Sequence, residues 1–202
     1  MTGEKLPFQE LSLVRRLAGG EASKASLSAG VSELIATGLY SGYSPFAPGT
    51  AGSVAALLFW PLLRRLSLKT YVVFVALLYW AGIITGENIE KALGKRDPGR
   101  VVIDEFVGMY ITLAGDPGAS WTDVFLALVY FRFFDIIKPW PANRFNAGDG
   151  GFAIMTDDVV AGLYALVIYR LTRKYFSGLI IGLLAFLPGY LARRIGFLTV
   201  RR

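Results

Sequence analysis

The sequence contains no cysteine and no histidine. The first absence excludes disulfide frameworks and thiol nucleophiles, and the second removes every mechanism that relies on an imidazole base or a phosphohistidine. Together they exclude Cys/His zinc sites. Charge is also scarce: Asp, Glu, Lys and Arg make up 18% of the chain against 54% hydrophobic residues. With a mean hydropathy of +0.49, this composition points away from soluble proteins and toward the membrane class. The chemistry left open is that of carboxylates with a hard cation. A length of 202 residues suits one domain and is short for two. The formal charge of +6 reads, in so apolar a chain, as anionic lipid and positive-inside topology rather than nucleic acid.

Residues 1–28 mix both charge signs and hold no apolar core of signal-peptide length. They read as a cytoplasmic, partly flexible leader without a cleaved targeting segment. Six apolar stretches follow, roughly 51–63, 70–86, 98–115, 121–138, 158–171 and 175–192. A bilayer core takes about 20 apolar residues, with about 17 as a lower limit, so several of these runs are short. The alternative is a soluble helical bundle with a very apolar core. Against it stand TYVVFVALLYWAGIITG and SGLIIGLLAFLPGYLA, which have no polar face to turn toward water. The expected fold is an all-α integral membrane bundle of about five to six apolar helices, the first short enough to be re-entrant. Residues 29–172 would form the membrane-embedded unit, and 173–202 an added membrane helix, half of an extra hairpin, with a basic tail.

Charge orients this bundle. With a cytoplasmic N-terminus and six crossings, the external loops hold Arg64, Arg65, Lys69, Arg170, Arg173 and Lys174, six of 21 basic residues. The other fifteen lie on the cytoplasmic side, as the positive-inside rule favours. That orientation brings four polar segments, GYSPFAPGTAGS, KRDPGRVVIDE, DIIKPWPANR and GGFAIMTDD, to the cytoplasmic face as one candidate site.

Each segment carries residues with two readings. Asp97-Pro98 has the form of a helix start, which places Asp104 and Glu105 about two turns, roughly 10 Å, into an apolar helix. They are either a solvated first turn or, given the apolar flanks VVI and FVGMYITL, carboxylates facing a functional cavity. Asp135 has Arg132 three residues before it and Lys138 three after, so an internal Arg132–Asp135 ion pair competes with a role in a site. Pro139 ends that helix and Trp140 suits a membrane interface, which puts Lys138 at headgroup level. Asp157 and Asp158 follow Thr156, a candidate N-cap, and ordinary helix-dipole chemistry would explain them. Five carboxylates at one membrane face nevertheless repel one another unless a cation neutralises them, and Mg²⁺ takes such oxygen ligands. In GYSPFAPGTAGS, Thr50 stands ahead of the next helix and the glycines let backbone N–H groups approach an anion. Ser44, Thr50, Gly52 and Ser53, with Arg132 and Lys138, are the candidate phosphate contacts. A Pro/Gly-rich connector is the competing explanation, and no Gly-Lys-Ser/Thr follows that would make a Walker loop.

Taken in order, GYSPFAPGTAGS, DPGRVVIDEFVGMYITL, YFRFFDIIKPWP and GGFAIMTDDVVAGL resemble the phosphatidylglycerophosphatase A family, magnesium-dependent membrane lipid phosphatases of bacteria. The resemblance covers about residues 32–172. It implies removal of the terminal phosphate of phosphatidylglycerophosphate, giving phosphatidylglycerol and inorganic phosphate, at the cytoplasmic side of the inner membrane. It implies Asp97, Asp104, Glu105, Asp135, Asp157 and Asp158 as the acidic set, with Lys138 and Thr50 near the phosphate. Two positions depart from the pattern: Asn146 stands where an Asp is expected, and Ala153 where a second-turn Gly is usual. Without His or Cys, phosphomonoester cleavage proceeds through metal-activated water or an aspartyl phosphate. The first is preferred, with Asp104, Glu105, Asp157 and Asp158 as the ligand pool, Asp97 as a further candidate ligand, and one of the pool or Asp135 as general base. The Asp/Gly spacing of CDP-alcohol phosphotransferases is missing, and histidine-dependent phosphatidate phosphatases are excluded. A cation transporter would distribute its acids through the bilayer depth.

Overall fold

The computed structural model describes the backbone of residues 22–199 and the side chains of 29–175 apart from Asn146 and Lys174. Most of the leader assigned to 1–28 and the end of the basic tail thus lie outside the described residues. Among the described residues eight α-helices run in the order α1 (Ala22–Ala36), α2 (Pro48–Leu58), α3 (Trp60–Leu63), α4 (Leu68–Leu93), α5 (Ile103–Thr112), α6 (Trp121–Ile137), α7 (Ala142–Asn146) and α8 (Gly150–Thr199), with a 3₁₀ turn at Ser41–Tyr43. The described residues include no strand.

Local signals set the boundaries. Pro48 opens α2 at its first position, where the missing N–H costs nothing. Pro61, in the first turn after Phe59, separates α3 from α2. The Ser67 hydroxyl caps α4 by accepting from the Thr70 N–H at 3.2 Å, and Gly94 ends it at φ 58°, the left-handed position where glycine carries no side-chain penalty. Ser120 and Asp123 cap α6 reciprocally, each side chain accepting from the other's backbone N–H.

Helix lengths support two of the expected crossings. Among the described residues, α4, with 26 residues, and the Gly150–Arg173 part of α8, with 24, are long and apolar enough to span a bilayer. The ten-residue α5 rises about 15 Å, half of the roughly 30 Å a hydrocarbon core requires. The 51–63 run is divided between α2 and α3. No turn separates the runs 158–171 and 175–192, which belong to one helix.

α8 is the centre of the assembly and packs against α4, α5, α6 and α7, while α1 lies on α4 and α2 on α5 and α6. Core side chains include Phe106, Met109, Tyr110, Phe131, Met155 and Tyr169. The α5–α8 crossing is close because it is made of glycines: a Cβ on Gly162 would strike the Gly108 backbone. Outward-facing surface is also apolar. In the most apolar stretch of α4 only 22% of the residues are buried, and Val72, Val73, Leu77, Trp80 and Ile84 are all exposed.

A second polar cluster ties the loop after α5 to α8. Buried Asp116 accepts from the Tyr169 hydroxyl at 2.5 Å and from Arg173, which also lies 3.6 Å from Asp123. Arg64 and Arg170 donate to the carbonyls of Ala119 and Ala114 in the same loop. Three arginines assigned to external loops by charge counting therefore have structural partners. Replacing Arg173 by Met leaves Asp116 and Asp123 buried with less compensation. We expect a stability loss of about 2 to 3 kcal/mol, read as a lower unfolding temperature. Specific activity of the folded fraction should stay within about twofold, because Asp123 lies twelve residues, or about 18 Å along α6, from Asp135.

Candidate active site

α5 begins at Ile103, not at Pro98. Asp97 adopts φ 41°, and the Val101 N–H closes a turn on the Pro98 carbonyl at 2.8 Å. Asp97 is thus an exposed loop residue rather than an N-cap, and Asp104 and Glu105 occupy the first turn rather than a position two turns deep. That first turn is not solvated: each residue is only 9% exposed. Neighbouring helices cover it, which is why a first-turn position and a buried one coincide here.

α8 begins at Gly150, so Thr156 is an interior residue rather than an N-cap. Its hydroxyl donates to the Phe152 carbonyl at 2.6 Å and meets the Tyr79 hydroxyl at 2.8 Å. Asp157 and Asp158 consequently lie two turns inside α8, at 4% and 2% exposure, too deep for the helix dipole to account for them.

The remaining groups come from α6. Arg132 lies 2.8 Å from Asp135, the internal pair that the spacing suggested, and also 3.6 Å from Glu105. Lys138 follows the last turn of α6 in the left-handed conformation, φ 46°. This swings its ammonium onto Asp157, with Asp135 3.6 Å away. Burial alone would lower the Lys138 pKa, but Asp157, Asp158 and Asp135 outweigh it and hold the value above the ordinary lysine range. The ammonium is charged at every working pH.

Three carboxylates converge. One oxygen each from Asp104, Glu105 and Asp158 lie within 4.8 Å of one another, all buried. Glu105 Oε2 and Asp158 Oδ2 have no hydrogen-bond partner. Adding Asp135 and Asp157 gives five negative groups against the two cations Arg132 and Lys138, a formal charge of −3. Such a group is unstable in a low-dielectric setting without a further cation.

The glycine-rich segment reaches this cluster through the first turn of α2. A Cβ on Gly49 would overlap Glu105 Oε1 and crowd the Arg132 guanidinium, and one on Gly52 would strike Val102. Glycine therefore lets the α2 N-terminus sit against the acidic group. Thr50 lies within that turn rather than ahead of it. Ser53 is fully buried, donates to the Gly49 carbonyl at 2.8 Å and accepts from Arg132 at 3.5 Å. Ser44 instead donates to the Phe46 carbonyl at the loop. Ala153 is buried in α8, while the Asn146 side chain lies outside the described residues. Sequence reasoning missed Glu33 and Arg100, which flank the Tyr43 hydroxyl. Tyr43 and Arg100 each lie inside a quoted polar segment, while Glu33 lies outside all four.

Residues 34–173 match the family described as Phosphatidylglycerophosphatase A. The chain belongs to the phosphatidylglycerophosphatase A family. The matched stretch contains all five buried carboxylates of the cluster together with Arg132, Lys138 and the α2 N-terminus. Among relatives of this family member, the Phosphatidylglycerophosphatase A of Escherichia coli (strain K12) is 43% identical over 131 residues, 64% of this chain and 76% of the relative. That of Haemophilus influenzae is 41% identical over 137 residues, 67% and 84%. A Bacteroides thetaiotaomicron protein provisionally named as a phosphatidylinositol-3-phosphatase is 40% identical over 147 residues, 69% and 92%. No solved structure matches the chain.

Proposed function

We propose that this chain, by family a phosphoric monoester hydrolase, removes the terminal phosphate of phosphatidylglycerophosphate in a Mg²⁺-dependent reaction. The products are phosphatidylglycerol and inorganic phosphate, and the place is the cytoplasmic face of a bacterial inner membrane. The observation that carries the reading is the convergence of Asp104, Glu105 and Asp158 within 4.8 Å, with two of their oxygens buried and unpartnered. The donors are all carboxylate oxygens, without nitrogen or sulfur, which suits Mg²⁺. Asp104, Glu105 and Asp158 would hold the ion, with Asp157 beside them. Asp97, exposed on its loop, is a peripheral contributor of charge. When bound, the ion polarises the phosphoryl oxygens and makes a coordinated water more acidic.

The chain's own residues supply the rest. Lys138 and Arg132 neutralise charge on the phosphoryl oxygens, and the α2 N-terminus presents the N–H groups of Gly49 and Thr50 on the same side. Asp157 is engaged by Lys138 and accepts the Asp158 N–H at 3.0 Å. Asp135 lies outside the triad and orients both cations, which makes it the carboxylate placed to accept a proton from the attacking water. Membrane residence is supported by α4 and by an exposed stripe on α6, Trp121, Phe125, Val129, Phe133, Ile137 and, just beyond it, Trp140. Tryptophans bracket that stripe as they do membrane interfaces. Residues 29–172 form the catalytic unit in this reading, and 173–202 extend it.

The test is phosphate release from phosphatidylglycerophosphate by the detergent-purified full chain, with Mg²⁺ or with EDTA. Release should fall at least about 10³-fold on chelation and return when Mg²⁺ is restored. Equal release in EDTA would remove the metal from the reading, and no release from folded protein with Mg²⁺ would remove the substrate.

A further inference from the structure

An apolar cavity of about 310 Å³ lies between α1, α3, α4 and α5, walled by Leu34, Leu62, Phe74, Leu78, Ile103 and Phe106. Its one side chain with a polar atom is Tyr110, whose hydroxyl is committed to the Ala56 carbonyl at 3.1 Å. The cavity therefore offers a ligand no hydrogen bond and excludes headgroups, sugars and peptides, whose polar atoms would go unpaired. Hydrocarbon is the one chemistry that it rewards. Its mouth is open: Leu39 and Leu62 are 55% and 65% exposed. Phe74 and Leu78 belong to α4, so the mouth continues onto the apolar outer surface of that helix.

Two features connect the cavity to the acidic cluster. Ile103 and Phe106 wall it, while Asp104 and Glu105, between them in sequence, turn to the opposite face of the same helical turn and join Asp158. α2 runs from one place to the other. Gly49 abuts Glu105 at its N-terminus, and ten residues later, about 15 Å at helical rise, the chain reaches Phe59 and Leu62 of the cavity wall. We propose that this groove seats an acyl chain of the lipid substrate, so that the N-terminal turn of α5 separates a bound hydrocarbon tail from the phosphate presented to Asp104, Glu105 and Asp158. The proposal rests on the lipid phosphatase reading and deepens it: substrate is gripped by its tail as well as its headgroup. Chain length becomes a determinant of KM through residues that touch no phosphate.

The test uses Leu39→Trp and Leu62→Trp, substitutions at the exposed mouth that fill the groove without touching the acidic cluster. Phosphate release is measured on dioleoyl- and dihexanoyl-phosphatidylglycerophosphate in the same detergent. KM for the long-chain substrate should rise about tenfold, with kcat and the short-chain KM unchanged. Equal change on both substrates, or no change in folded variants, overturns the proposal. Because the chain has no cysteine, Leu62→Cys adds a unique thiol for an independent readout. Its alkylation in detergent should slow several-fold when dioleoyl-phosphatidylglycerol is added and not with the dihexanoyl form. A thiol protected without any lipid would show that another part of the chain fills the groove, and one that lipid leaves equally reactive would show that the groove stays empty. Either overturns the proposal. Failure of the wild type to hydrolyse either substrate would sink the phosphatase reading, while the thiol result would still report on the groove.

Discussion

Asp158→Asn should release phosphate at least about 10³-fold more slowly than the parent, yet unfold at a higher temperature when no metal is present. Both effects have one cause. Asp158 is 2% exposed, shares a 4.8 Å group with Asp104 and Glu105, and has an oxygen with no partner. Like charges held that close in a dry site oppose folding, so removing one relieves repulsion worth about 1 to 2 kcal/mol. The same carboxylate is a candidate cation ligand, and losing it costs the reaction about 4 kcal/mol of barrier lowering. Mg²⁺ should raise the unfolding temperature of the parent, since a ligand of the folded state stabilises it, and raise that of the variant far less. The measurements are phosphate release and thermal unfolding of both proteins with Mg²⁺ and with EDTA. Activity above about a tenth of the parent's would remove Asp158 from the ion's ligands. A lower unfolding temperature in EDTA would contradict the charge-crowding account.

Gly162→Val is expected to be the most damaging single change outside the acidic cluster. A Cβ there would overlap the carbonyl oxygen and Cα of Gly108, and Gly108 itself sits against the Phe131 ring and the Asp158 carbonyl. The obstacle is backbone on both sides, so the helices must separate. Overpacking of this kind costs about 3 kcal/mol or more. Because Asp104 and Glu105 ride on α5 and Asp158 on α8, the separation also opens the carboxylate group. Displacement of about 1 Å at a reacting centre is worth about 10² in rate. We therefore expect reduced yield, a lower unfolding temperature and a loss of about 10² in activity per folded molecule. Gly118→Ala is the control: nothing lies within 4 Å of its added Cβ, and it should match the parent in every assay.

The sequence carried the composition of the site better than its geometry. Zero histidine and cysteine left carboxylates as the available chemistry, and four polar segments named the residues that the structure brings together around Asp158. The Arg132–Asp135 contact was legible because three residues of helix fix a shared face. Helix starts were less legible. Asp97-Pro98 has the composition of an N-terminus, but a left-handed Asp97 and the turn closed on Pro98 delay α5 to Ile103. Thr156 has the composition of a cap, yet α8 has already begun at Gly150 and its hydroxyl bonds back along the helix. In each case a local signal yielded to packing that local sequence does not record. Crossing number was less legible because apolar runs measure hydrophobicity, not helix length, as the ten helical residues within 98–115 show. The Asp116–Tyr169–Arg173 cluster joins residues more than 50 positions apart, and no spacing rule reaches that far.

Because α8 is unbroken, it sets phase as well as distance between its two polar sites. Asp157 and Asp158 face the acidic cluster, and Tyr169 and Arg173 face Asp116 farther along the same rod. Adding or removing one residue between Asp158 and Tyr169 would turn one set by about 100° relative to the other, so one of them would face away from its partners. Side chains in that interval can vary within the limits of packing, but their number cannot.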